Sequence, residues 1–202
     1  MHGNVSRKLI VLLLLVACVG AFGSTAVADE LKSKFDKQVF EWAKQCRQEV
    51  KDQFDLMLTS GQLSVGQLFD TFYIPIPNTY PQKYHTQYDK IADEVLRPII
   101  DKYLKKDKRL VFFIAVDRNG YVSTHNTRYA QPLTGNPDVD SVRNRTKRIF
   151  NDRTGLAAAR NTNEYLLQHY SRDTGEQMSD LSVPLYINNR HWGAIRVGYK
   201  SK

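Results

Sequence analysis

Arg145, Arg148, Asp180, His125 and His169 are the residues of this chain best suited to do chemistry. A guanidinium presents a planar fork of donors that matches a carboxylate, and an aspartate suits an amine. Together they would fit a zwitterion or a small organic acid. In a strand, successive side chains point to opposite faces. With strands at 121–126, 164–171, 178–187 and 191–200, one parity carries Tyr121, Ser123, His125, His169, Asp180, Ser182, Trp192 and Arg196. The other carries Leu166, Tyr170, Leu181, Val183, Leu185, Ile195, Val197 and Tyr199, and reads as a core face. The polar parity has two readings. It is a wet face, as one side of an antiparallel sheet often is, or it is the floor of a pocket beneath a lid. Trp192 favours the lid, since it would otherwise lie in water. The expected ligand site is therefore Tyr121, His125, Arg145, Arg148, His169, Asp180 and Trp192. It requires His125, Asp180 and Trp192 to be covered and on one side.

Two other chemistries are weighed on the same residues. His169, Asp180 and Ser182 share a parity, which raises a hydrolytic triad. No G-x-S-x-G surrounds Ser182, which stands mid-strand just before Pro184. The chain is read as a binding protein and not an enzyme. His85, His125, His169 and His191 form no H-x-x-H or H-x-x-x-H pair, so no metal is expected. C-x-x-C-H is absent, which excludes covalent c-type haem; no cofactor is expected.

The elements that must position these groups occupy one domain of ordinary size. The first 28 residues stand apart from it. Arg7 and Lys8 precede the aliphatic run Leu9 to Val16, and Ala26-Val27-Ala28 is an A-x-A cleavage site. Leu15-Val16-Ala17-Cys18 also reads as a lipobox, so a free periplasmic or secreted product and a lipid-anchored one both stand. The run is short of the ~20 residues that span a bilayer. Cleavage after Ala28 removes Arg7 and Lys8 and no acid, lowering the net charge from +8 by two to +6. A basic balance suits nucleic acid, but export argues against that partner. Of the two cysteines only Cys46 survives cleavage, so no internal disulfide forms. It either links two chains or packs inside.

From Asp29 to about Ser60 the apolar residues Phe35, Val39, Trp42, Cys46, Val50, Phe54 and Met57 recur at helical spacing. Such a helix is ~45 Å long at 1.5 Å per residue, long enough to project or to pair with a second copy. Gly61 ends it. The run from Tyr73 to Pro81 holds three prolines, which forbid helix and disfavour a central strand. A second helix follows from Tyr84 to Tyr103, with Pro98 expected to kink or divide it. Leu110 to Val116 reads as a buried strand, and Asn119-Gly120 as a hairpin turn into a second strand, Tyr121 to Asn126. A helix is expected from Val139 to Phe150, then strands at 164–171, 178–187 and 191–200, joined at Asp173-Thr174-Gly175 and Asn188-Asn189. The order predicts an α+β domain: a five-stranded antiparallel sheet with a helical crossover, preceded by a long N-terminal helix. That is the PAS-like plan.

Val116-Asp117-Arg118-Asn119-Gly120-Tyr121 followed by Thr124-His125-Asn126 resembles the sensory modules of bacterial methyl-accepting chemotaxis proteins. So do Arg143 through Phe150, Asp152-Arg153-Thr154-Gly155, and the ending from Asp180-Leu181-Ser182-Val183-Pro184 through His191-Trp192-Gly193 to Gly198-Tyr199. The likeness runs from about Leu63 onward. It implies a Cache or PAS-like fold and small-molecule sensing in chemotaxis or related signalling. The sequence shows no HAMP-type linker, no second span and no coiled-coil signalling domain. The expectation is a stand-alone sensor or binding subunit, with a small organic ligand such as a carboxylate or amino acid. Its other partner would be a membrane receptor or a second copy of the chain. The alternative is a periplasmic interaction module that docks through its long helix.

Overall fold

The computed structural model describes residues 30–171 and 177–200. The leader, with both of its cleavage sites, and the 173–175 turn lie outside the described residues. Helix α1 runs Lys34–Thr59 and starts at a capping box. There the Ser33 hydroxyl accepts the Asp36 N–H, and the Asp36 carboxylate accepts the Ser33 N–H. Its stripe Val39, Ala43, Cys46, Val50, Phe54 and Met57 is buried against the domain's own sheet. Cys46 is wholly buried, and burial pushes its thiol up, so the inter-chain bridge weighed from sequence is closed off.

A short helix α2 (Val65–Leu68) leads into strands β1 (Ile74–Ile76) and β2 (Lys83–His85), which form a small ribbon of their own. Helix α3 spans Asp89–Leu104 without a break. Pro98 lies on its exposed side, where solvent can satisfy the carbonyl left without a partner, so the expected division does not occur.

The central sheet has four antiparallel strands and not five. Their spatial order is β3 (Leu110–Asp117), β8 (Arg190–Lys200), β7 (Gln177–Ile187) and β6 (Leu166–Ser171). The expected fifth strand is replaced by β4, only Tyr121–Val122, which pairs with β5 (Arg148–Ile149). The reason is local. Asp117 folds the chain back by accepting the N–H groups of Asn119 and Tyr121. The backbone of 120–122 is then taken by the crossover: Phe150 N–H donates to Gly120 and Lys147 N–H to Val122. Beyond Val122 the Asn126 side chain accepts the Phe113 N–H, ending strand geometry. The crossover helix is also shorter than expected. Helix α4 is Pro137–Arg143, and a second helix, α5 (Arg153–Arg160), follows β5. The Asn188-Asn189 turn has φ of 49° and 59°, the left-handed pair a tight hairpin needs.

Helices α1 and α3 cover one face of the sheet, and the crossover with α5 lies over the other. The face under the helices carries Phe113, Leu181, Val183, Ile195 and Val197, which form the main core with α1 and α3.

Candidate functional site

Register decides which face each candidate occupies. Ser182 pairs with Arg196 and with Leu166, and Arg196 pairs with Ile114, so these four lie on the face under the crossover. Asp180, Gly198 and Phe112 form the adjoining row. Gly198 leaves room for Phe112: a Cβ there would lie 2.1 Å from the ring.

Between this face and the crossover lies a cavity of about 640 Å³. Phe112, Ile114, Met178 and Arg196 line it from the sheet; Val142, Arg145, Arg148 and Phe150 line it from the crossover. His125, Tyr129, Asp152 and Tyr170 complete the walls. The polar face is therefore covered and not bathed. The cover is held by backbone bonds from Arg145 N–H to Tyr129, 2.7 Å, and from Lys147 N–H to Val122, 2.7 Å. From outside, the buried Lys83 ammonium donates to the Asn144 side chain (2.8 Å) and backbone (3.1 Å) and to the Thr146 carbonyl (2.7 Å).

Electrostatics in the cavity is set by arginine. Arg196 is buried and grips the fully buried Asp180 with Nε–O distances of 3.0 and 2.8 Å and an Nη2–O distance of 2.8 Å. Burial drives the Asp180 carboxyl up, with Arg196 pulling against it. Arg148 donates to the Ser141 carbonyl at 2.9 Å and lies 5.0 Å from the Phe150 ring, as does Arg145. Among the described residues no carboxylate forms an ion pair with Arg148. Burial and the neighbouring Arg145 lower it to about 10. His125 is held far below the usual histidine range by burial, then by Arg145, Arg148, Arg196 and Arg128. It is therefore neutral. Its Nδ1 accepts the Asn126 N–H at 2.8 Å, so the ring proton sits on Nε2. That tautomer donates a hydrogen bond and cannot ligate a metal through Nε2.

The seven expected residues do not form one site. His125, Arg145 and Arg148 line the cavity, and Asp180 lies beneath Arg196. Trp192 is on the opposite side. A bulge where Leu185 pairs with Gly193 but Tyr186 pairs with His191 adds one residue to β8 and reverses its parity there. Trp192 packs on Phe54 and Tyr88, and its Nε1 donates to the Leu68 carbonyl. His169 also faces the helices, paired with Ser179, whose hydroxyl lies 3.0 Å from its Nδ1. The inferred parity of β6 was inverted, and Tyr170 holds the cavity position instead. Tyr121 left the sheet with β4, and its ring lies against Tyr73 and Tyr88. So the condition that His125, Asp180 and Trp192 share one side is not met, and the site as drawn from sequence does not exist. A smaller one does.

The same register separates the triad candidates, because His169 is on the other face from Asp180 and Ser182. Asp180 is engaged by Arg196 and is closed to a ligand amine. Among the described residues no three His, Cys, Asp or Glu side chains converge to hold a metal ion. Sequence reasoning missed Phe112, Phe150 and Tyr129 as cavity residues, and it placed Arg196 on the polar face without counting it among the seven. Arg196 carried a signal, since a cation flanked by Ile195 and Val197 in a buried strand needs a partner.

No family model matches the chain, and no curated protein matches it. Among solved structures it is similar to an extracellular ligand binding receptor from Desulfohalobium retbaense DSM5692, at TM-score 0.38 and 15% identity. The match covers 83% of this chain and 26% of that one, so the chain spans about a quarter of the receptor's length. A likeness of that size carries neither fold nor function across.

Proposed function

We propose that the chain is an exported sensory domain that binds a small organic anion in the cavity between its sheet and its crossover. The supporting observation is the half-buried Arg148 in the cavity wall, with no carboxylate paired to it among the described residues. An unpaired buried cation costs stability unless something compensates it. A ligand carboxylate does so, and Arg145, Arg196 and the His125 N–H add to the same anion site. The resemblance of its motifs to chemotaxis sensory modules favours a sensory use, and the residues of the leader favour an exported location. No helix among the described residues is long and apolar enough to cross a membrane.

A thermal-shift series on residues 29–202 tests the reading. A ligand that prefers the native state adds about 2.7 kcal/mol at a hundred times its Kd. A panel of organic carboxylates is expected to raise the Tm of the wild type. Arg148→Met is expected to fold, with equal or higher Tm in buffer, and to lose the shift. Equal shifts in both proteins, or none in either, would contradict the proposal.

A further inference from the structure

The cavity is furnished for more than an anion. Its volume, about 640 Å³, is several times the ~150 Å³ that accommodates a benzene ring. Phe112, Ile114 and Met178 present apolar surface from below, and Val142 and Phe150 from above. An acetate or alanine would leave most of that surface against water, forgoing the apolar burial that drives small-molecule binding.

The cations are already arranged on rings. Arg145 and Arg148 each lie 5.0 Å from the Phe150 centroid, and Arg196 lies 5.7 Å from that of Phe112. His125 stands edge-on to Tyr129 at 4.9 Å and to Phe112 at 6.2 Å. A flat apolar ligand body joined to a carboxylate reproduces the pairing of guanidinium and ring on which these walls are built.

Provision for an amine is slight among the described residues. Asp180 is sealed beneath Arg196. Asp152, the one carboxylate in the wall, caps α5 by accepting the Gly155 N–H at 3.0 Å. Among the described residues an ammonium group would enter beside the guanidiniums of Arg145, Arg148 and Arg196, with the Asp152 carboxylate as the one acid of the wall to answer it. We propose that the cavity takes a carboxylate carrying a ring-sized apolar body and no amine, an inference that rests on the anion-binding reading above.

Isothermal titration with four probes separates the two features. 3-Phenylpropionate has ring and carboxylate; propionate lacks the ring; phenylalanine adds the amine; alanine adds the amine and lacks the ring. The expected result is that 3-phenylpropionate binds at least tenfold more tightly than each of the other three, and that Arg148→Met abolishes its heat. Propionate or phenylalanine binding as tightly as 3-phenylpropionate would overturn the ligand class while leaving the anion site standing. Failure of every carboxylate to bind would remove the anion site as well, and the inference with it.

Discussion

Arg196 and Asp180 are a buried ion pair in a sheet interior, and such a pair is felt most when half of it is removed. Arg196→Met leaves Asp180 desolvated and alone, at a cost of about 3–5 kcal/mol. Urea denaturation is expected to show that loss, and the double change Arg196→Met with Asp180→Leu to recover much of it. A double variant as unstable as the single one would mean that the pair does more than neutralise itself. Lys83 gives a pH signature. Burial is the main cause that lowers its ammonium from 10.5 to about 8, with Arg148 and Lys147 adding to it and Asp140 opposing. In the unfolded chain the group keeps its ordinary value, so between about pH 8 and 10.5 the unfolded state binds more protons. The Lys83 contribution to stability therefore rises with pH across that window and is flat below it. The stability difference between wild type and Lys83→Met is expected to grow in favour of wild type from pH 8 to 10. A difference independent of pH would show the ammonium to be titrating normally.

At the scale of elements, the bulge in β8 decides more than any single strand. It turns Trp192 into the helix-side core and brings Gly193 against β3, where a Cβ would lie 2.0 Å from the Val116 carbonyl oxygen. Gly193→Ala is expected to cost about 1–3 kcal/mol, read as a lower urea midpoint together with altered Trp192 fluorescence. An unchanged midpoint would mean that β8 is not held this closely. The bulge also marks the limit of what the residues reveal in order. Helix α1, strands β3, β7 and β8 and the Asn188-Asn189 turn were legible, because each rests on local periodicity or turn chemistry. Parity was legible only where nothing interrupted it: Asp180, Ser182 and Arg196 fell on the same face, as expected. A one-residue bulge leaves no mark in hydrophobic periodicity, so strand alternation alone puts Trp192 on the wrong face. In β6 the neighbours Leu166-Leu167 and His169-Tyr170 permit either parity, and only pairing with β7 selects one. The crossover was least legible, because β4 and β5 are two residues each and are made by tertiary bonds from Lys147 and Phe150.

The whole molecule is a sheet with two unlike sides. One is filled by α1, α3 and a cluster of large aromatic residues that includes Trp192, Tyr88, Tyr121 and Phe54. The other is roofed by a crossover that leaves a cavity walled by arginine. The apolar stripe of α1, which suggested docking to a receptor or to a second copy, is used up within the domain. That leaves the cavity as the feature with chemistry to spare. A crystal of the domain soaked in 4-bromobenzoate, at a concentration that saturates its effect on melting, locates the ligand by the anomalous signal of bromine. Bromine is expected inside the cavity bounded by Phe112, Met178 and Phe150, with the carboxylate on Arg148. An empty cavity, with bromine on the surface or on the helix side of the sheet, would contradict the proposal.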